Sequence, residues 1–197
     1  MQKRNVIKHF GIVVVLSVAV AVGLNNLLML INLAQYSKRY QEAAEILYSP
    51  SIAEQILYSG ILAPILEEVL FRGLLFRVLR KWISFAWAML ISALAFGFYH
   101  GNLVQFVYAG VCGLLFAYLY EKLGSVLFPI IAHMVMNIVS LVLTHMEIFA
   151  WMMGSVAKAL LATGVCIAIA ATMFCALQKL DVTKVLKIYC KDKSDVI

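Results

Sequence analysis

A chain of 197 residues that is 64% hydrophobic and 13% charged, with a mean hydropathy of +0.95, is far more apolar than a water-soluble domain, where about half would be usual. The class is an integral membrane protein. Its net charge of +6 sits on Lys and Arg at segment ends and in the tail rather than over one face, which reads as membrane orientation and argues against nucleic-acid binding.

Lys3, Arg4 and Lys8 precede an apolar run from about Phe10 to Leu33, long enough to cross a bilayer that needs roughly 20 such residues. The run is longer than a signal-peptide core, so a retained helix is expected. Residues 34–55 turn polar, with Lys38, Arg39, Glu42, Glu45, Pro50 and Glu54, and read as the longest internal loop, part of it an interfacial helix. A second run, about Ile56 to Leu79, closes on Arg77, Arg80 and Lys81. The third, about Ser84 to Tyr99, stops at Gly101, a natural helix terminator. The fourth runs from about Leu103 to Tyr120. The fifth, about Ser125 to Thr144, contains Pro129, placed to kink it four residues before His133. Residues 147–158 are mixed and suit the interface. Ala159 to Leu177 form the last run before a lysine-rich tail with Lys179, Lys184, Lys187, Lys191 and Lys193.

The expectation is an all-α polytopic transmembrane helix bundle of about six membrane helices. It is a single membrane domain over residues 1–197, with its chemistry between about 56 and 145. Six crossings put both termini on one side, and the basic residues make that side cytoplasmic at a cell membrane. Cys112, Cys166, Cys175 and Cys190 form no close-spaced set and serve as small hydrophobes. His9 and His145, at segment ends, are expected at the interface. The Met134, Met136, Met146, Met152 and Met153 neighbourhood fills core or faces lipid.

Three segments place chemistry inside apolar surroundings. The second run carries Glu67, Glu68 and Arg72, and ionisable groups in a membrane segment mark function by default. Glu68 and Arg72 stand at i and i+4 and pair on one helix face. Glu67 lies about 100° around the helix and is left to face something else. Burial without a partner disfavours its charged form, which suits a general base. The third run ends in Phe96-Gly97-Phe98-Tyr99-His100, where Phe96 at i−4 braces His100. The fifth holds His133-Met134-Val135-Met136-Asn137, whose His133 and Asn137 share a face at i and i+4. One distance resists convergence. Measured from a tight hairpin at Arg80-Lys81, Glu67 and His100 differ in depth by roughly 9 Å at helical rise.

The three motifs, Glu-Glu-x-x-x-Arg, Phe-x-x-x-His and His-x-x-x-Asn, stand in the order seen in the CPBP family, which this chain resembles over roughly residues 60–145. That family comprises CAAX-type prenyl endopeptidases and bacteriocin-processing or immunity proteins. The resemblance implies an intramembrane endopeptidase acting on membrane-associated or leader-bearing peptides. It implies that Glu67 and His100 activate water, that His133 and Asn137 stabilise the oxyanion, and that Glu68, Arg72 and Phe96 support them. The implied partners are a peptide or protein substrate and the lipid bilayer. No cofactor is required; a zinc ion held by Glu67, His100 and His133 is the alternative, although no HExxH is present. The oligomeric state is not legible.

Other intramembrane protease types fail on the sequence. The aspartates, Asp181, Asp192 and Asp195, lie in the tail, so an aspartyl pair is excluded. No Gly-x-Ser-x-Gly turn supports a serine nucleophile, and Ser140 reads as an interhelical hydrogen-bonding residue. The rival class is a non-catalytic immunity or scaffold protein, or a proton-coupled transporter, that retains the motifs as structural groups.

Overall fold

A computed structural model describes residues 2–180, with side chains from His9 onward. The tail lysines from Lys184 on, Cys190, the three aspartates and the side chains of Lys3, Arg4 and Lys8 lie outside the described residues. Among the described residues the protein is helical throughout, without strands. Helix α1 (Gln2–Leu30) leads through a 3-10 turn (Leu33–Tyr36) into α2 (Lys38–Tyr48). Residues 52–79 then form one helical rod of changing pitch. Its parts are α3 (Ile52–Gln55), a π-wound stretch (Ile56–Leu62), α4 (Ala63–Glu68), a second π-wound stretch (Val69–Phe76) and α5 (Arg77–Leu79). After them come α6 (Phe85–Tyr99), α7 (Leu103–Leu123), α8 (Leu127–His145), α9 (Ile148–Met153) and α10 (Val156–Gln178).

Among the described residues four helices are long and apolar enough to cross a membrane: His9–Leu30, Leu103–Leu123, Leu127–His145 and Val156–Gln178. The other two of the six expected runs differ. The 52–79 rod is interrupted by its π stretches, and α6, at 15 residues, reaches only about 22 Å, short of a hydrocarbon core of about 30 Å. The protein is a polytopic helical membrane bundle. Its outer surface carries Leu66, Trp82, Trp87, Leu161 and Ile167 as exposed side chains, as a lipid-facing wall requires.

The bundle closes by packing α1 against α10 and α8, α6 against α7, and α7 against α8. Lipid tails are as apolar as leucine, so association rests on close packing and interhelical hydrogen bonds rather than on water exclusion. The core reflects this, with Phe71, Phe96, Phe116 and Phe128 interleaved among Leu16, Leu119 and Met136. At Gly113 on α7 the approach is tight: a Cβ there would meet the Ala93 Cα and the Arg72 Nη2 at 3.0 Å. The Ala93 backbone cannot yield, so Gly113→Ala is expected to cost about 1–3 kcal/mol. A lowered melting temperature of the detergent-solubilised protein checks this.

Chain reversals use the expected chemistry. Gly101 takes φ 72, and Asn102 caps α7 by accepting from the Gln105 N–H at 2.9 Å. Ser37 caps α2 through the Tyr40 N–H at 3.3 Å.

One local expectation is corrected. Pro129 does not kink α8; it occupies the first turn, where its missing N–H has no helical acceptor to lose, and the helix starts there. His9 stands at the end of the apolar span His9–Leu30, as expected, and is packed against protein rather than exposed. His145 is exposed at the end of α8, its Nε2 3.1 Å from the Gln55 Oε1. The methionines divide, Met136 and Met152 in the core and Met146 on the surface. Cys112 is buried, Cys166 half-buried and Cys175 exposed, all three free thiols.

Candidate active site

The rod of residues 52–79 positions the first motif, and its changes of pitch are part of the site. A π turn carries its hydrogen bonds one residue further than an α turn, and such turns recur at functional sites. Carbonyls in both π stretches take side-chain donors from neighbouring helices. Asn137 Nδ2 donates to the Ser59 carbonyl at 2.8 Å, and Ser92 Oγ donates to the Phe71 carbonyl at 3.2 Å.

Glu68 and Arg72 are fully buried and paired, with Arg72 Nη1 donating to Glu68 Oε1 at 2.9 Å. Arg72 also donates from Nη2 to the Gly113 carbonyl at 3.0 Å. Its guanidinium carbon sits 4.5 Å from the Phe96 ring centre and 5.3 Å from that of Phe116. The pair does more than fix its own rod. His133 Nδ1, from α8, donates to the same Glu68 Oε1 at 3.0 Å. An ionised carboxylate only accepts, so Nδ1 carries the proton, and Nε2 is the nitrogen left to face the site.

His100 is held by the same logic. Its Nδ1 lies 2.9 Å from the Phe96 carbonyl, an obligate acceptor, so Nδ1 carries the proton and Nε2 has a free lone pair. Phe96 also meets His100 edge-on at 5.0 Å and His133 edge-on at 5.6 Å, so one buried ring braces both histidines and the arginine. His133 stacks on Phe116 at 4.9 Å. Glu67 Oε2 stands 3.7 Å from His133 Nε2, an ion-pair distance too long for a hydrogen bond.

Glu67, His100, His133 and Asn137 all line one cavity of about 280 Å³. The depth mismatch expected from the sequence shrinks because the turn is not tight. Residues 80–84 form a loop, so Glu67 is 12 residues from the end of α5 and His100 is 15 from the start of α6, a difference of about 5 Å. Among the described residues no group of three His, Cys, Asp or Glu side chains stands together as a metal site.

The sequence did not reveal the rest of this cavity. Helix α2 lies over it, presenting Tyr40, Ala43, Ala44, Leu47 and Tyr48, an i, i+3, i+4, i+7, i+8 stripe that is legible once the segment is taken as helix. Burial raises Tyr40 above the ordinary phenol range, with Tyr48 adding to it, so its hydroxyl stays protonated at neutral pH. Asn25, Tyr108 and Ser140 form a second polar group in the same cavity. The signal for Asn25 was there to be read, a polar side chain in the middle of an apolar run.

Residues 49–139 match the family model described as type II CAAX prenyl endopeptidase Rce1-like. Over 82 residues the chain is 39% identical to the Bacillus subtilis (strain 168) protein named "Putative membrane peptidase YdiL", a match taking in 42% of this chain and 34% of that relative. The matched part thus spans about a third of the relative's length. No solved structure matches the chain. Glu67, Glu68, Arg72, Phe96, His100, His133 and Asn137 all fall within residues 49–139. By these matches and the three ordered motifs, residues 49–139 are similar to the Rce1-like type II CAAX prenyl endopeptidases.

Proposed function

We propose that this protein is an intramembrane endopeptidase that hydrolyses a peptide bond with a water held in the cavity between Glu67 and His100. The observation that carries the reading is the convergence of four side chains, from three separate helical segments, on a single cavity inside a membrane bundle. Glu67 accepts the water proton while His100 Nε2, with its proton committed to the other nitrogen, orients the attacking oxygen. The water oxygen bonds to the scissile carbonyl carbon, and the electron pair of the broken C=O π bond moves to oxygen. That oxyanion is met by an Nδ2–H of Asn137 and by His133 Nε2.

Asn137 spends one amide hydrogen on the Ser59 carbonyl, which fixes its orientation and leaves the other to donate. His133 donates from Nε2 only as the doubly protonated ring, with Glu67 and Glu68 on either side to balance its charge. Collapse of the intermediate breaks the C–N bond. The proton taken from water passes to the leaving amine, giving one new carboxylate and one new amine.

We place the substrate in the bilayer, as a membrane-associated or leader-bearing peptide, and both termini of the enzyme on the cytoplasmic side at a cell membrane. The purified protein in lipid vesicles, incubated in heavy-oxygen water with membrane-partitioning peptides, is expected to release two fragments, the new carboxyl end carrying one heavy oxygen. Intact peptides at every composition tried would refute the reading.

A further inference from the structure

We infer that Asn25, Tyr108 and Ser140 form a subsite that grips the main chain of the substrate peptide one to two residues from the scissile bond; this rests on the hydrolytic reading above. The three residues come from α1, α7 and α8 and meet on the wall of the same cavity as the catalytic groups. Asn25 and Ser140 lie outside residues 49–139, so the feature is not part of the matched family core.

Position is the first argument. Along α8, His133, Asn137 and Ser140 stand at i, i+4 and i+7, so one helix face carries all three toward the cavity. Ser140 lies about 4.5 Å beyond Asn137 along the helix axis. An extended peptide advances about 3.3 Å per residue. A substrate whose scissile carbonyl meets Asn137 therefore brings a neighbouring main-chain carbonyl to Ser140 within one or two residues.

Hydrogen-bond accounting is the second argument. Asn25 Nδ2 has two hydrogens and donates to the Ala21 carbonyl at 2.8 Å and to Ser140 Oγ at 3.0 Å, with the Tyr108 hydroxyl at 3.4 Å. Ser140 Oγ thus acts as acceptor and keeps its own proton to give. Tyr108 likewise holds a proton, with the Cys112 thiol as a second neighbour able to accept it, and the two hydroxyls are 3.5 Å apart, where only one can donate to the other. Because a thiol sulfur is a weak acceptor, an uncharged acceptor such as a peptide carbonyl entering the cavity competes for an O–H of this network. Glu67 on the wall of the same cavity makes it unfavourable for a free carboxylate. The occupant is accordingly an uncharged stretch of peptide main chain rather than a C-terminal carboxylate.

The test uses the full-length protein in vesicles and peptides of alanine, valine and leucine, acetylated and amidated at their ends. Tyr108→Phe and Ser140→Ala are each expected to raise KM about three- to tenfold with kcat unchanged, the loss of one hydrogen bond. An ester in place of the amide beyond the cleaved bond, which weakens that carbonyl as an acceptor, should cost the wild type affinity and leave Tyr108→Phe unaffected. Unchanged KM in both variants, with a lowered melting temperature, would overturn the proposal and leave the trio as glue between helices. Should the wild type cleave nothing, the hydrolytic reading fails. The subsite is then decided by the anisotropy of a dye-labelled peptide on Glu67→Gln with and without Tyr108→Phe: weaker binding in the double variant supports it, equal binding overturns it.

Discussion

Glu67→Gln is expected to lower peptide cleavage by about a hundred- to ten-thousandfold, the range typical of a lost general base, while the protein inserts and folds as before. The two halves of this expectation have separate physical causes. Glutamine keeps the shape of glutamate but has no carboxylate to take a proton from water. The fold is indifferent because Glu67 makes no hydrogen bond to His133, standing 3.7 Å away on the cavity wall, and removal of a partly buried charge relieves desolvation. Mass spectrometry of the peptide, paired with a melting curve, reads both quantities. Wild-type cleavage by a folded Glu67→Gln protein would remove Glu67 from the chemistry, and persistence of the biological effect without cleavage would favour a scaffold.

The second large effect concerns the fully buried Arg72. Arg72→Leu leaves Glu68 ionised in the core with His133 Nδ1 as its remaining partner, and strips the Gly113 carbonyl of its donor. Breaking one member of a buried ion pair costs about 3–5 kcal/mol, enough to unfold many single domains. Replacing both members by apolar residues is far better tolerated, because no orphaned charge remains. Glu68→Leu combined with Arg72→Met is therefore expected to regain most of the melting temperature yet stay inactive. The pair's second task, holding His133 by its Nδ1 proton, is not restored. Recovery of both stability and cleavage in the double variant would show that Glu68 merely anchors its own rod.

The separation of these two tasks also marks what a sequence can and cannot convey here. Apolar runs located the helices because a bilayer demands continuous hydrophobic stretches, and local pairs were legible because i and i+4 positions share a face. Glu68 with Arg72 is such a pair. The contact of Glu68 with His133, 65 residues away, is set by how α8 packs against the rod, and periodicity states which face a residue occupies, not which neighbour it meets. The π winding around Ala63–Glu68 had no signature in the apolar pattern, yet it frees the carbonyl that orients Asn137. Residues 34–55 read as a loop with an interfacial helix in part of it because charges dominate the composition, although the apolar stripe of Lys38–Tyr48 roofs the cavity. Pro129 was taken as an interior kink because the start of α8 was placed two residues too early.

An experimental structure at a resolution that shows solvent bears most directly on the site. An ordered water within hydrogen-bond distance of both the Glu67 carboxylate and His100 Nε2, in a cavity still bordered by His133 and Asn137, is the expected result. A dry cavity, or Glu67 and His100 turned to separate surroundings, would contradict the account.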